Sequence, residues 1–141
     1  MLAEKLITHC GNKGTIFTYT SFEKTIINGL SDLFPDFSNG LQNLVHRLVD
    51  LCQIMKTYYY HPDFHGSYSI KNVLPVIVPD MSYANMEIGN GSEAVAQFAY
   101  MAQGKYDSEH KKQIRRHLLE YCKLDTMAMV KVYERLKVFS G

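Results

Sequence analysis

TIFTYTSFEKTIINGLSDLF, residues 15–34, holds two periodicities back to back. From Thr15 to Thr20, β-branched and aromatic residues alternate with period two, with a glycine in front and a serine behind, and that pattern predicts a strand. From Ser21, placed to cap, the apolar residues Phe22, Ile26, Ile27, Leu30, Leu33 and Phe34 recur at helical spacing until Pro35 stops them. A strand that feeds directly into a helix sets the class as α/β.

Outward from there the chain is helical. Leu2, Leu6 and Cys10 share one helical face, and Gly11-Asn12 supplies the left-handed residue that ends a helix. Leu41, Leu44, Val45, Leu48, Cys52 and Met55 predict one continuous helix from Ser38 to about Met55, with Asp50 opposite its apolar stripe and turned to solvent. Residues 58–69, YYYHPDFHGSYS, show neither period and read as an extended segment turning into a loop. Residues 69–79 read as a short helix limited by Pro75, and residues 80–92 are broken by Gly89 and Gly91. Ser92 is placed to cap a helix over 93–103, and Asp107-Ser108 a long one reaching about 138. The expected fold is α-rich α/β, with one clear strand and five or six helices.

Composition bounds the rest. With 141 residues, 46% apolar and 21% charged, the chain has the size and make-up of a single domain spanning 1–141. Fifteen basic against fourteen acidic side chains leave a formal charge of +1, which excludes a wholesale polycation and permits only a local basic patch. Cys10, Cys52 and Cys122 are too few and too far apart for a disulfide framework or a zinc knuckle, so a reducing cytoplasm is the expected setting. No apolar run approaches the length of a membrane span, and no membrane partner is expected.

One residue sits on the wrong face. On the long last helix Ile114, Leu118, Tyr121, Cys122, Met129, Val132, Tyr133 and Leu136 form an apolar arc, and Asp125 falls in its middle. A carboxylate turned toward a core costs several kcal/mol unless donors or a cation meet it. Asp125 therefore demands a partner, structural or functional. Glu23 lies within the apolar sector of its own helix, but in the first turn, where the helix dipole alone favours an acid. Because it follows a strand end, it is a second candidate ligand.

These residues resemble a known group. Tyr19-Thr20-Ser21-Phe22-Glu23 is similar to the second motif of the DEDD 3′-5′ exonucleases, and Tyr121-Cys122-Lys123-Leu124-Asp125 to the third motif in its Tyr-x-x-x-Asp form. RLVDL (47–51), YYYHPDFHGSYSIKNVLP (58–75) and EYCKLDTMAMV (120–130) resemble, in this order and over nearly the whole chain, an uncharacterised bacterial domain family grouped with the ribonuclease H-like nucleases. The resemblance implies metal-dependent phosphodiester hydrolysis with Mg2+ or Mn2+ as cofactor. Glu23 and Asp125 match metal ligands in it, and Tyr121 the residue that orients the attacking water. It implies substrate-side roles for Tyr19, Ser21, Phe22, His61, Ser67 and Lys71. Glu23 stands where most of these exonucleases carry Asp, and Thr20 where many carry Asn.

The first motif of that group, Asp-x-Glu on an opening strand, has no counterpart before residue 15. Asp107-Ser108-Glu109 has the pattern, but at a helix start, where a cap and a first-turn acid explain it. The expectation is a truncated ribonuclease H-like domain missing its opening strands: part of an exonuclease on DNA or RNA, inactive as this chain, and a homo-oligomer or paired with the missing region. The alternative is a non-catalytic nucleic-acid-binding or protein-interaction module. His61 and His65 do not read as zinc ligands, because Pro62 denies them a shared helical face. Lys111, Lys112, Arg115 and Arg116 form the densest basic cluster; taken as spread around the helix they read as a solvated surface, with phosphate contact near Asp125 as the other option.

Overall fold

The computed structural model describes residues 1–140. They fall into two compact units, Met1–Ile70 and the residues from Lys71 onward.

The first unit begins with α1 (Leu2–Cys10), which ends at Gly11 with φ 57°, the left-handed conformation that glycine adopts without strain. Strand β1 spans Ile16–Thr18, shorter than the six-residue alternation predicted. Helix α2 (Phe22–Leu33) follows, and Ser21 holds its N-cap position without a side-chain cap bond. A single 3-10 turn over Pro35–Phe37 leads into α3 (Ser38–His46). Here the structure corrects the sequence reading. The helix predicted to run on to Met55 stops at His46, β2 takes Leu48–Asp50, and α4 restarts at Leu51–Tyr58. β1 and β2 pair in parallel, Ile16 opposite Leu48 and Thr18 opposite Asp50, with α2 and α3 as the crossover.

The helix breaks there because the residues at the two ends of β2 have partners elsewhere. Arg47 sends its guanidinium to the turn after α1, donating to the carbonyls of Gly11 and Lys13 at 2.7 Å, Gly14 at 3.1 Å and Cys10 at 3.4 Å. Its own carbonyl accepts from Ile16 N at 2.9 Å, extending the ladder. Asp50 is not turned to solvent as expected. Its Oδ1 accepts from Cys52 N at 2.8 Å and Gln53 N at 3.3 Å, capping α4, and from Thr20 N at 2.8 Å, holding the turn that leaves β1.

One core cluster of this unit is Ala3, Ile27, Leu41 and Leu44, packed against Leu6, Ile7, Cys10, Ile16, Leu30, Phe37, Val45 and Leu48. Those residues come from α1, β1, α2, the 3-10 turn, α3 and β2, so the helices lie on the strands because their apolar stripes have no other place to go. Gly40 lets α1 and α3 meet: a Cβ there would lie 2.7 Å from Ile7 Cδ1. Ser31 Oγ and Ser38 Oγ at 2.8 Å, and Gln42 Nε2 donating to Asn28 Oδ1 at 3.1 Å, fasten α2 to α3 beside that core.

The second unit takes up α5 (Ile70–Ile77) from its second residue, with Pro75 inside it, then α6 (Gly91–Ala102) and α7 (Ser108–Ser140). Asn90, not Ser92, caps α6, accepting from Glu93 N at 2.8 Å. Asp107 caps α7 as expected, accepting from Glu109 N at 3.0 Å and His110 N at 2.9 Å. α6 packs on α7 through a short connection pinned by Tyr106, whose hydroxyl donates to Gln97 Oε1 at 2.5 Å. The described residues are mostly helical with one two-stranded parallel sheet, which is the α-rich α/β class. All three cysteines are free thiols, and no helix among the described residues is long and apolar enough to cross a membrane.

Replacing Arg47 by Met keeps the aliphatic stem and strands four carbonyls at the end of α1. We expect it to cost about 2–4 kcal/mol in urea unfolding, because charged hydrogen bonds and their acceptors are lost together. Arg47→Lys recovers little of that, since one ammonium cannot fork to four acceptors. Full recovery by Lys contradicts the role assigned to the guanidinium.

Candidate functional site

Two places in the fold carry the residues singled out from sequence, one in each unit. In the first unit they gather where β1 ends. Tyr19 is buried, and its hydroxyl donates to the Tyr68 carbonyl at 2.7 Å. Burial, and then the neighbouring Cys52 thiol, push its ionisation well above that of an ordinary tyrosine. Cys52, itself buried and raised by that burial, points its Sγ at the same carbonyl from 3.6 Å. Thr20 then takes φ 75°, a left-handed conformation that is strained for a β-branched residue, with Asp50 holding its amide. That kink sets Ser21 exposed and Phe22 largely exposed at the start of α2, and leaves Glu23 half-buried in its first turn with Oε2 inside.

The segment after α4 keeps an extended backbone at Tyr59 and His61, so those two side chains share a face, and both rings pack on Phe64 with centroids 5.8 Å away. Tyr60 between them is 77% exposed, and Tyr58 at the end of α4 is 82% exposed. His61 Nδ1 accepts from Asp63 N at 3.3 Å, and Ser67 Oγ accepts from Ser69 N at 3.3 Å, so both serve the loop's own turns. His65 takes a left-handed conformation after the Pro62–Phe64 turn. Lys71 belongs to the second unit and is exposed on α5.

In the second unit Asp125 has the partner its position on α7 demands. Tyr83, 7% exposed, donates its hydroxyl to Asp125 Oδ1 at 2.6 Å. One turn before Asp125, Tyr121 lies beside the same carboxylate, its ring 6.1 Å from that of Tyr83. Burial first, then the charge of Asp125 and a hydrogen bond to it, push the Tyr121 phenol up to about 12. The result is a carboxylate gripped by two neutral phenols. Tyr83 was not legible in advance, because it sits in the glycine-broken stretch 80–92, where no periodicity assigns a facing direction. Cys122, placed on the apolar arc from its wheel position, is exposed instead.

Glu23 thus belongs to the first unit, and Tyr121 and Asp125 to the second. Among the described residues no group of three or more His, Cys, Asp or Glu side chains is placed to hold a metal ion. A hard divalent cation wants several oxygen ligands, commonly carboxylates. Asp125 offers one carboxylate already engaged by a phenol, which does not fit Mg2+ or Mn2+. A cleft of about 540 Å³, lined by Ile77, Pro79, Met81, Lys131, Glu134 and Arg135, does not include Asp125.

Two expectations follow from this geometry. In the unfolded chain a tyrosine ionises near pH 10, whereas Tyr121 in the folded protein does so at about 12. The folded state keeps a proton that the unfolded chain releases, so the stability this group contributes is complete below about pH 10 and is lost as pH rises through about 12. Tyr121→Phe should flatten part of the fall in urea-unfolding stability across that window, with the raised Tyr19 and Cys52 contributing to what remains; an unchanged slope contradicts the assignment. At the β1 turn, Thr20→Asn should raise stability by about 0.5–1 kcal/mol, because Asn tolerates the left-handed region at less strain. A loss of stability in the melt means that the Thr20 side chain has a role beyond the turn.

Comparison with known proteins bears mainly on the first unit. No curated protein and no solved structure matches the chain. The resemblance expected over nearly the whole sequence is matched over a shorter stretch, and nothing found bears on a ribonuclease H-like kinship. Residues 1–69, the first unit almost to its last residue, match the family described as Domain of unknown function (DUF2779), an uncharacterised domain family.

Proposed function

We propose that this chain binds nucleic acid and has no hydrolytic activity of its own. In this reading it is a non-catalytic relative of part of a ribonuclease H-like 3′-5′ exonuclease. The observation that carries the non-catalytic half is the 2.6 Å hydrogen bond from Tyr83 to Asp125. A carboxylate that must share out charge among metal ions is poorly served by a buried phenol on one oxygen and a second phenol alongside. That arrangement answers the packing problem Asp125 poses on α7 without any cation. The nucleic-acid half rests on the resemblance and on Tyr58 and Tyr60, whose exposed rings suit stacking with unpaired bases.

A second reading has one observation in its favour. The Tyr-x-x-x-Asp resemblance calls for a phenol that stays protonated to orient water, and Tyr121 beside Asp125 is such a phenol. There, Asp125 serves as a ligand of Mg2+ or Mn2+ in an exonuclease whose remaining carboxylates come from elsewhere.

The two readings part in one set of measurements. Single-stranded DNA and RNA oligonucleotides labelled at the 3′ end are incubated with the chain and Mn2+ or Mg2+. We expect binding without shortening, and Mn2+ uptake that is weak at most, rises in Tyr83→Phe and disappears in Asp125→Asn. Shortening from the 3′ end that Asp125→Asn abolishes replaces the non-catalytic reading with the second one. Absence of any binding to either oligonucleotide overturns both.

A further inference from the structure

Helix α7 opens with acids, Asp107 as its cap and Glu109 in its first turn, and then turns abruptly basic. The N-terminal end of a helix carries partial positive charge, and cations are disfavoured there. Yet Lys111 and Lys112 follow within about one turn of its start at Ser108. Each is followed four residues later by another cation, Lys111 by Arg115 and Lys112 by Arg116, a spacing at which like charges repel. A helix surface that only needs to be wet has no use for such a pattern, since alternating signs would solvate it equally well and stabilise it besides.

The structure also removes the reason for treating these cations as scattered. At about 100° per residue, Lys111, Lys112, Arg115, Arg116 and Lys123 occupy one arc about 140° wide. All five are exposed, while Ile114 and Leu118, just outside the arc toward the packed face of the helix, are half-buried. Arg116 reaches Glu120 only loosely, at 3.9 Å, and among the described residues no ion pair holds the other four. Leu119 stands within the arc, 59% exposed. From Lys111 to Lys123 the arc runs about 18 Å along the helix axis.

We propose that this arc of α7 is a docking ridge for a phosphodiester backbone, its cations meeting phosphates and Leu119 touching sugar or base. The proposal rests on the nucleic-acid reading above and names the surface that serves it. Charge complementarity selects the partner: the chain as a whole is nearly neutral at +1, so a polyanion is attracted by a local array or not at all. An anionic membrane fits less well, because a helix that lies in a bilayer surface must offer its apolar face, and here Val132 is buried and Ile114 and Leu118 are turned in.

The test is fluorescence anisotropy of labelled single-stranded DNA and RNA with the full chain over a salt series. The triple change Lys112→Gln, Arg115→Gln, Arg116→Gln should weaken binding about tenfold or more and make the slope of log affinity against log salt shallower by about two. The same triple variant should melt no lower than the parent, because the repulsion is relieved. That separates lost docking from lost fold. Lys5→Gln with Lys13→Gln and Lys24→Gln, the same loss of three positive charges on the first unit, should leave affinity and slope as they were. If the parent binds and the triple variant binds equally with the same slope, the ridge is wrong and the nucleic-acid reading stands. If the parent binds neither oligonucleotide, that reading fails with the ridge, and binding of the parent to phosphatidylserine vesicles instead assigns the arc to a membrane and overturns the proposal outright.

Discussion

Everything in the first unit depends on what holds a three-residue strand in place. Two parallel strands of this length have too few ladder bonds to stand by themselves. β2 is fixed at both ends by side chains that reach out of it. Arg47 gathers four carbonyls from the turn after α1, and Asp50 gathers three amides, one from the end of β1 and two from the start of α4. A single short strand thereby sets where α1 stops, where β1 stops and where α4 begins. The apolar contacts of buried residues such as Leu41 and Leu44 stabilise the unit, but they do not specify these boundaries; directional bonds do.

That division explains what the sequence disclosed. The helices were legible wherever burial follows the 3.6-residue period, as in α1, α2 and α7. The strand β1 was legible from its alternation, although only its middle residues join the sheet. β2 was hidden because Leu44, Val45, Leu48, Cys52 and Met55 keep helical spacing straight through it, and three residues cannot establish a period of two. What marks it is the pair of charges bounding an apolar dipeptide, Arg47-Leu48-Val49-Asp50. A charged side chain with several satisfied bonds to distant backbone groups leaves no periodic trace in its own neighbourhood.

The candidate site divides in the same way. Asp125 was identified from its angle on α7 alone, because a carboxylate in an apolar arc is an imbalance that packing has to answer. Its answer, Tyr83, lies forty-two residues earlier in an aperiodic stretch, and only the tertiary fold brings the two together. Tyr121 was legible through its spacing of four from Asp125, but the physical effect of that spacing is reciprocal: burial and then the carboxylate keep the phenol protonated, and the phenols hold the carboxylate. The strained Thr20 is a comparable case in the first unit. Its residue type argues against the conformation it adopts, and Asp50 holds its amide regardless.

Strain of this sort and the crowding of cations at the start of α7 differ in one respect. The Thr20 kink is balanced locally, by a hydrogen bond within reach of the strained residue. The repulsion between Lys111 and Arg115, and between Lys112 and Arg116, is answered only in part, by the loose Arg116–Glu120 pair and by Asp107 and Glu109 at the start of the helix. A cost only partly offset on an exposed, otherwise well-formed helix points outside the molecule for the rest of its compensation. Repeating negative charge spaced along a flexible backbone is the simplest external counterpart for a row of cations about 18 Å long on a rigid helix.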